Sequence, residues 1–221
     1  MPSFGSRYRD GARAALAVAA TVWFFGASFG LVARAAGMGV LAPLVMSATT
    51  FAGSAQFAVS SILGAGGGAA AAIAAAVLLN ARYAPISISV APFFHGPRLR
   101  RLVESQLIVD ESWALASRGA GRFDRRILLG AGLLLYVSWL SGTAVGLLAG
   151  DALGDPKDLG LDGAFPALFL ALLAPQLRAP RAAIAAATGA AIALVLIPVT
   201  PAGTPIVAAS AACLLGLRRR S

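Results

Sequence analysis

Residues 35–81, AAGMGVLAPLVMSATTFAGSAQFAVSSILGAGGGAAAAIAAAVLLNA, contain no charged side chain. One bilayer crossing takes about 20 apolar residues, so this run is too long for a single pass and has to fold back. The turn belongs at Gly64–Gly68, where Gly-Ala-Gly-Gly-Gly interrupts the apolar pattern. One span is therefore expected near Leu41–Leu63 and another near Ala69–Phe93.

Working outward, Ala14–Ala33 reads as a first span. It follows Arg7, Arg9 and Arg13 and precedes Ala33-Arg34-Ala35, which has the small-x-small form of a cleavage site. A cleaved signal peptide has an apolar core of about 7–15 residues, and this run is longer, so a retained helix is expected. Beyond Phe93, a polar segment at about 96–126 carries Glu104, Asp110, Glu111 and several arginines. Its Leu99, Leu102, Leu107, Trp113 and Leu115 point to partly helical, interfacial structure. A fourth span at Ile127–Ala149 leads to an acidic loop with Asp151, Asp155, Asp158 and Asp162. A fifth near Phe165–Leu177 and a sixth near Ala182–Ile197 flank the basic turn Arg178–Arg181. A seventh runs to about Leu217, before Arg218-Arg219-Arg220. The expected fold is an all-α membrane helix bundle of about seven spans, forming one domain over residues 1–221.

Composition agrees. The chain is 58% apolar and 12% charged, about half the charged fraction of a soluble domain. Its outer surface has to face lipid. The net charge of +9 sits at the ends of apolar runs, where arginines set topology, and no basic helix with interleaved aromatics supports nucleic-acid binding. Cys213, the single cysteine, can form no internal disulfide.

Seven spans place the termini on opposite sides. Arg34, Arg98, Arg100, Arg101, Arg118, Arg122, Arg125, Arg126, Arg178, Arg181 and Arg218–Arg220 then share one side, against Arg7, Arg9, Arg13 and Lys157. The richer side is expected to be cytoplasmic, with the N-terminus outside. The three N-terminal arginines oppose this assignment, and a re-entrant second segment would reconcile them. An internal repeat is also legible. Trp23-x-x-Gly26-x-x-x-Gly30 recurs as Trp139-x-x-Gly142-x-x-x-Gly146, followed by Pro43 or Pro166 and an alanine-rich span. Three spans per unit would make the copies inverted, an architecture of alternating-access transporters. Glycines four apart also simply allow close helix packing.

No catalytic constellation is present in the sequence. His95 is the only histidine, no Gly-x-Ser-x-Gly elbow exists, no His/Cys/carboxylate cluster has metal-ligand spacing, and Gly64–Gly68 lacks the Lys-Ser/Thr of a phosphate loop. A non-enzyme without cofactors is expected. The informative residues lie inside the spans. Arg82 interrupts the third, and a charge at bilayer depth normally faces a cavity or a partner. Asn80 neighbours it, and Asp110 or Glu111 reach it if the polar segment folds back under the bundle. Arg82 reads either as a substrate-carboxylate or gating contact, or as a structural ion pair. The second span holds Ser47, Thr49, Thr50, Gly53, Ser54, Gln56, Ser60 and Ser61, with a helix break expected at Gly53-Ser54. An unwound turn at that depth is tolerated where it lines a cavity or is buried in protein. The expected binding residues are Gly53, Ser54, Gln56, Asn80 and Arg82, with Asp110 and Glu111 as gating or ion-pair groups. A secondary transporter of small solutes is expected; a passive channel or a non-transporting assembly subunit is the alternative.

These residues resemble the AzlC family, the large subunit of branched-chain amino acid exporters. The likeness is carried by Phe25-Gly-Ala-Ser-Phe-Gly30, by Met46-Ser-Ala-Thr-Thr-Phe-Ala-Gly-Ser-Ala-Gln-Phe57, by Asn80-Ala-Arg-Tyr83 and by Asp110-Glu111. It continues through Ala149-Gly-Asp151, Asp155-Pro156, Leu159-Gly-Leu-Asp162 and Phe165-Pro-Ala-Leu-Phe169. Tyr83 stands where the family often carries histidine. The resemblance implies export of valine, leucine, isoleucine or related amino acids across a bacterial cytoplasmic membrane. It also implies a small hydrophobic partner of the AzlD type.

Overall fold

The computed structural model describes residues 6–119, 121–150, 170, 173–174, 176–178, 180–201 and 203–212. Apart from one isolated bridge between Ser117 and Phe123, their regular structure is helical. The elements are α1 (Ser6–Ala35), α2 (Leu41–Thr49), α3 (Gly53–Gly64), α4 (Ala69–Asn80), α5 (Tyr83–Val90), α6 (Arg98–Ser105), α7 (Asp110–Ala116), α8 (Arg125–Ala149), α9 (Pro180–Leu196) and α10 (Thr204–Ala209). Among the described residues, three stretches are long and apolar enough to cross a membrane: Arg7–Ala35, Ala69–Phe93 and Arg125–Ala149. Their outward side chains are apolar, with Ile73 63% and Leu148 72% exposed, as lipid contact requires.

The bundle is organised on α1 and α8, its most extensively packed pair. Contact is backbone to backbone. A Cβ at Gly26 would come 2.5 Å from the Trp139 carbonyl oxygen, and one at Gly142 would overlap that of Trp23. Gly30 meets Thr143 in the same way, and Gly146 meets Ala27. Lipid is as apolar as leucine, so such close approach, rather than hydrophobic exclusion, holds helices together here. Tyr8 lies beside Gly130, Gly11 beside Ile127 and Arg34 beside Gly150, so the two helices run parallel. Exchanging Trp23 with Trp139 and Gly26 with Gly142 maps the contacts onto themselves. The two motifs are thus related by a local twofold axis along the helices. This corrects the expectation of inverted copies: the motif-bearing helices point the same way.

α1 ends in a Schellman turn. Met38 N–H bonds Ala33 O at 3.1 Å and Gly37 N–H bonds Arg34 O at 3.0 Å, with Gly37 at φ 75°. The chain then enters α2, which runs back into the bundle beside α8: Ser47 reaches Thr143 and Trp139, and Ala48 reaches Tyr136. α3 returns. Gly53 lies against the Trp139 ring, Ser60 bonds the Met38 sulfur at 3.3 Å, and Gly64 packs on Ala36. The second expected span is therefore a re-entrant helical hairpin that enters and leaves at the C-terminal end of α1. It does not cross, which removes one of the seven expected spans.

Its break is at Thr50–Ala52, just before the expected Gly53-Ser54, and Phe51 occupies the tip with φ 43°. The tip lies beside Tyr136, at 5.2 Å between ring centroids, near the middle of α8. α4 and α5 then make the return crossing, interrupted at Ala81–Arg82. Pro85 accounts for the interruption: it has no N–H to give Ala81 O, and its ring crowds that carbonyl. Ala84 N–H bonds Ala81 O instead, at 3.1 Å.

The base of the bundle is polar. Asp124 caps α8, accepting from Arg126 N at 3.0 Å and Ile127 N at 3.3 Å, and its other oxygen takes Arg7 at 3.0 Å. Glu104 of α6 bridges Arg100 and Arg125. Burial opposes its ionisation, but the bonds from the two arginines prevail and hold its carboxyl below the usual range. The N-terminal arginines and those of residues 98–126 thus occupy one end of the α1–α8 pair. The expectation that they lie on opposite sides is corrected by the re-entrant hairpin, which removes a crossing between them. The acidic loop, most of the fifth expected span, Cys213 and Arg218–Arg220 lie outside the described residues. α9 covers the sixth expected span, and the turn before α10 packs Gly203 against Ala71 and Ile62.

Candidate functional site

Two half-helices meet at the hairpin tip, and their ends are treated differently. The last carbonyls of α2 lack helical partners. Side chains supply them: Gln106 Nε2 donates to Thr49 O at 2.9 Å and Ala48 O at 3.3 Å, and Tyr136 OH donates to Ala48 O at 2.9 Å. The first turn of α3, by contrast, forms the wall of a cavity. Such a turn presents amide N–H groups and the positive end of the helix dipole, which favour anionic groups.

Behind the tip lies a buried polar knot. Ser47 Oγ accepts from Gln56 Nε2 at 2.8 Å and from Trp139 Nε1 at 3.2 Å. Those two bonds fill both lone pairs of the hydroxyl, so the 3.0 Å contact with Thr143 Oγ1 is the bond that Ser47 donates. Gln56 Oε1 accepts Ala52 N–H at 3.2 Å. Ser47, Gln56 and Thr143 are fully buried. Gln56, expected to touch substrate, thus has its amide committed to holding the tip on α8 and does not line the cavity.

The cavity has a volume of about 120 Å³, well below the roughly 300–1,000 Å³ of drug-sized pockets. One wall is apolar: Val22, Phe25, Phe51, Phe57, Leu135 and Trp139. Phe29 braces it from behind, stacked on Trp139 at 5.9 Å and edge-on to Phe57 at 5.6 Å. The opposite wall is ionised. Arg82 Nη2 stands 3.1 Å from Asp110 Oδ2 and 3.4 Å from the Tyr83 hydroxyl, with its guanidinium over the Tyr83 ring. Glu111 lines the same space. Its carboxyl is accessible from the cavity yet surrounded by protein, and this desolvation, reinforced by the Asp110 charge, pushes it above the ordinary range.

Five of the seven expected residues therefore converge on one cavity: Gly53, Ser54, Arg82, Asp110 and Glu111. Among the described residues the Ser54 hydroxyl, buried there, has no hydrogen-bond partner. Asn80 stands elsewhere, in a groove with Met46, Val59 and Leu63, and its Oδ1 is also buried, with no partner among the described residues. Arg82 and Asp110 come together because the loop before α7 folds inward until Leu107 lies on Gly132. Sequence reasoning missed the aromatic wall and the Ser47 knot. Thr143 lies four residues after Trp139 and so shares its helix face, a signal that was available.

The family comparison bears on the same residues. A family model described as AzlC protein matches residues 17–153, which include α2 to α7 and every group lining the cavity. The chain belongs to the AzlC family. Among its relatives, an uncharacterized membrane protein of Archaeoglobus fulgidus is 32% identical, over 76% of this chain and 74% of its own length. The branched-chain amino acid transport protein AzlC of Bacillus subtilis is 25% identical, over 75% of this chain and 66% of its own. The inner membrane protein YgaZ of Escherichia coli is 26% identical, over 66% of this chain and 63% of its own. No solved structure matches the chain. The chain is a membrane protein with a transport-related role.

Proposed function

We propose that this chain is the translocating subunit of a secondary exporter of branched-chain or related small aliphatic amino acids, and not an enzyme. The observation that carries the reading is the two-sided cavity, with Arg82, Asp110 and Glu111 facing an aromatic and aliphatic wall. A zwitterion with an aliphatic side chain has this division of chemistry. Its carboxylate meets Arg82, the Ser54 hydroxyl and the first turn of α3. Its ammonium meets Asp110 and Glu111. Its side chain lies against Phe51, Phe57 and Trp139. Gln56 serves by holding the tip in place, and Asn80 acts from outside the cavity.

Alternating access requires a site that opens to each side in turn, and a short hairpin ending at mid-bilayer depth is an element able to move. The arginine-rich end faces the cytoplasm of a bacterial inner membrane, which puts the N-terminus inside. α9 adds a shorter crossing to the three described spans, and a small hydrophobic subunit of the AzlD type completes the complex. The name of the Bacillus subtilis relative, a branched-chain amino acid transport protein, supports the substrate class.

The test is efflux of preloaded leucine and valine from cells carrying the chain with and without its small hydrophobic partner. Saturable efflux that shows counterflow and needs both chains is expected. Linear, non-saturating flux would make the protein a channel. No efflux of any aliphatic amino acid, with both chains in the membrane, would overturn the substrate.

A further inference from the structure

A second cavity lies outside the cleft described above, at the base of the Ala69–Phe93 span. It measures about 370 Å³. Its floor is apolar, built from Val90, Ala91 and Phe94 at the end of the span and from Leu102 and Ile108. Arg98 and Arg101 stand at its edge. They are three apart on α6, so they share a face.

The ionic accounting on α6 is uneven. Its one acid, Glu104, is taken by Arg100 and by Arg125 of α8. Asp110 is held by Arg82 and Asp124 by Arg7. Among the described residues no carboxylate pairs with Arg98 or Arg101. Two uncompensated guanidiniums therefore flank an apolar slot where a membrane span ends. α6 also exposes Leu99 (74%), Leu102 (67%) and Val103 (65%), spaced to form one apolar stripe. A helix of this pattern lies along the bilayer surface with its stripe among the acyl chains. That brings the slot to headgroup level, open towards lipid.

We propose that this groove is a binding site for one anionic phospholipid, with its phosphate between Arg98 and Arg101 and an acyl chain along the exposed Ala91 and Leu102. Guanidinium groups bind phosphate oxygens in paired, directional hydrogen bonds, which a zwitterionic headgroup, carrying its own cation, satisfies less well. The site stands whether or not the chain exports amino acids, because it rests only on the membrane location and on α6.

The test is native mass spectrometry of the full chain extracted in mild detergent and titrated with phosphatidylglycerol or phosphatidylcholine of the same acyl chains. The wild type should retain one phosphatidylglycerol in preference to phosphatidylcholine by about tenfold or more, given the attraction of basic side chains for anionic lipid. Arg98→Gln with Arg101→Gln should abolish that preference. Arg118→Gln with Arg122→Gln removes the same charge from the same end of the bundle and should leave it intact. Ala91→Phe fills the slot without changing charge and should also weaken retention. Equal losses in the two double variants would reduce the effect to a diffuse basic surface and overturn the site. So would equal retention of the two lipids, full retention by Ala91→Phe, or displacement by glycerol phosphate as effective as by intact lipid.

Discussion

Ser47 Oγ stands at the junction of α2, α3 and α8, taking protons from Gln56 and Trp139 and giving one to Thr143. All three partners are buried, so removing the hydroxyl leaves donors with nothing to meet. Each orphaned buried group costs about 1–3 kcal/mol. Ser47→Ala should therefore lower the midpoint of thermal unfolding in detergent, while Thr49→Ala, whose hydroxyl bonds only the Val45 carbonyl one turn back, should change it little. Equal effects from the two variants would show that the knot does not hold the tip. At this scale the sequence was partly readable. The polar side chains of residues 47–61 marked an interior segment, and Arg82 marked a cavity or a partner. The role of Gln56 was not legible, because a glutamine near a helix break looks the same whether its amide faces a ligand or a backbone N–H. What decides is Ala52, freed by the broken helix and close enough to be bonded.

At the scale of elements, two features carry the architecture: the parallel α1–α8 pair and the re-entrant hairpin. The pair depends on glycines whose missing side chains let backbones touch. Gly142→Leu has to push α1 away from α8, because a side chain there overlaps the Trp23 carbonyl oxygen. It should abolish accumulation of folded protein, read as the monodisperse fraction after extraction. Gly68→Leu is the control, since among the described residues nothing lies within 4 Å of a Cβ at that position. A Gly142→Leu protein as abundant and monodisperse as wild type would refute the packing. The Trp-Gly repeat was visible in the sequence, but its direction was not, because direction follows from counting crossings between the copies. That count turned on whether residues 41–64 cross or return. They return because Gln106 and Tyr136, which lie 57 and 88 positions from the carbonyls they serve, satisfy the end of α2 in mid-bundle. No local pattern announces such a contact.

At the scale of the whole molecule, re-entrance resolves a conflict present in the charge pattern. Arg7, Arg9 and Arg13 were at odds with the arginines of residues 98–126 as long as three spans separated them. With two crossings in between, both groups share one end, as the Arg7–Asp124 bond at 3.0 Å records. The membrane class was readable from composition, since a chain with 12% charged residues cannot clothe itself in water, and the helical class from the lengths of the apolar runs. The cavity emerges only from assembly: Phe25 comes from α1, Phe51 and Ser54 from the hairpin, Arg82 from the return crossing, Glu111 from α7 and Trp139 from α8. Its chemistry is divided into an ionised and an apolar half, and the proposed export of aliphatic amino acids depends on that division.

The most direct measurement is leucine efflux from preloaded cells carrying either the wild type or Arg82→Gln, at matched levels in the membrane. Losing a charged contact to the substrate carboxylate should lower the efflux rate at limiting leucine by about tenfold or more. An Arg82→Gln protein that exports leucine as fast as wild type would contradict the account, since substrate would then pass without using the ionised wall of the cavity.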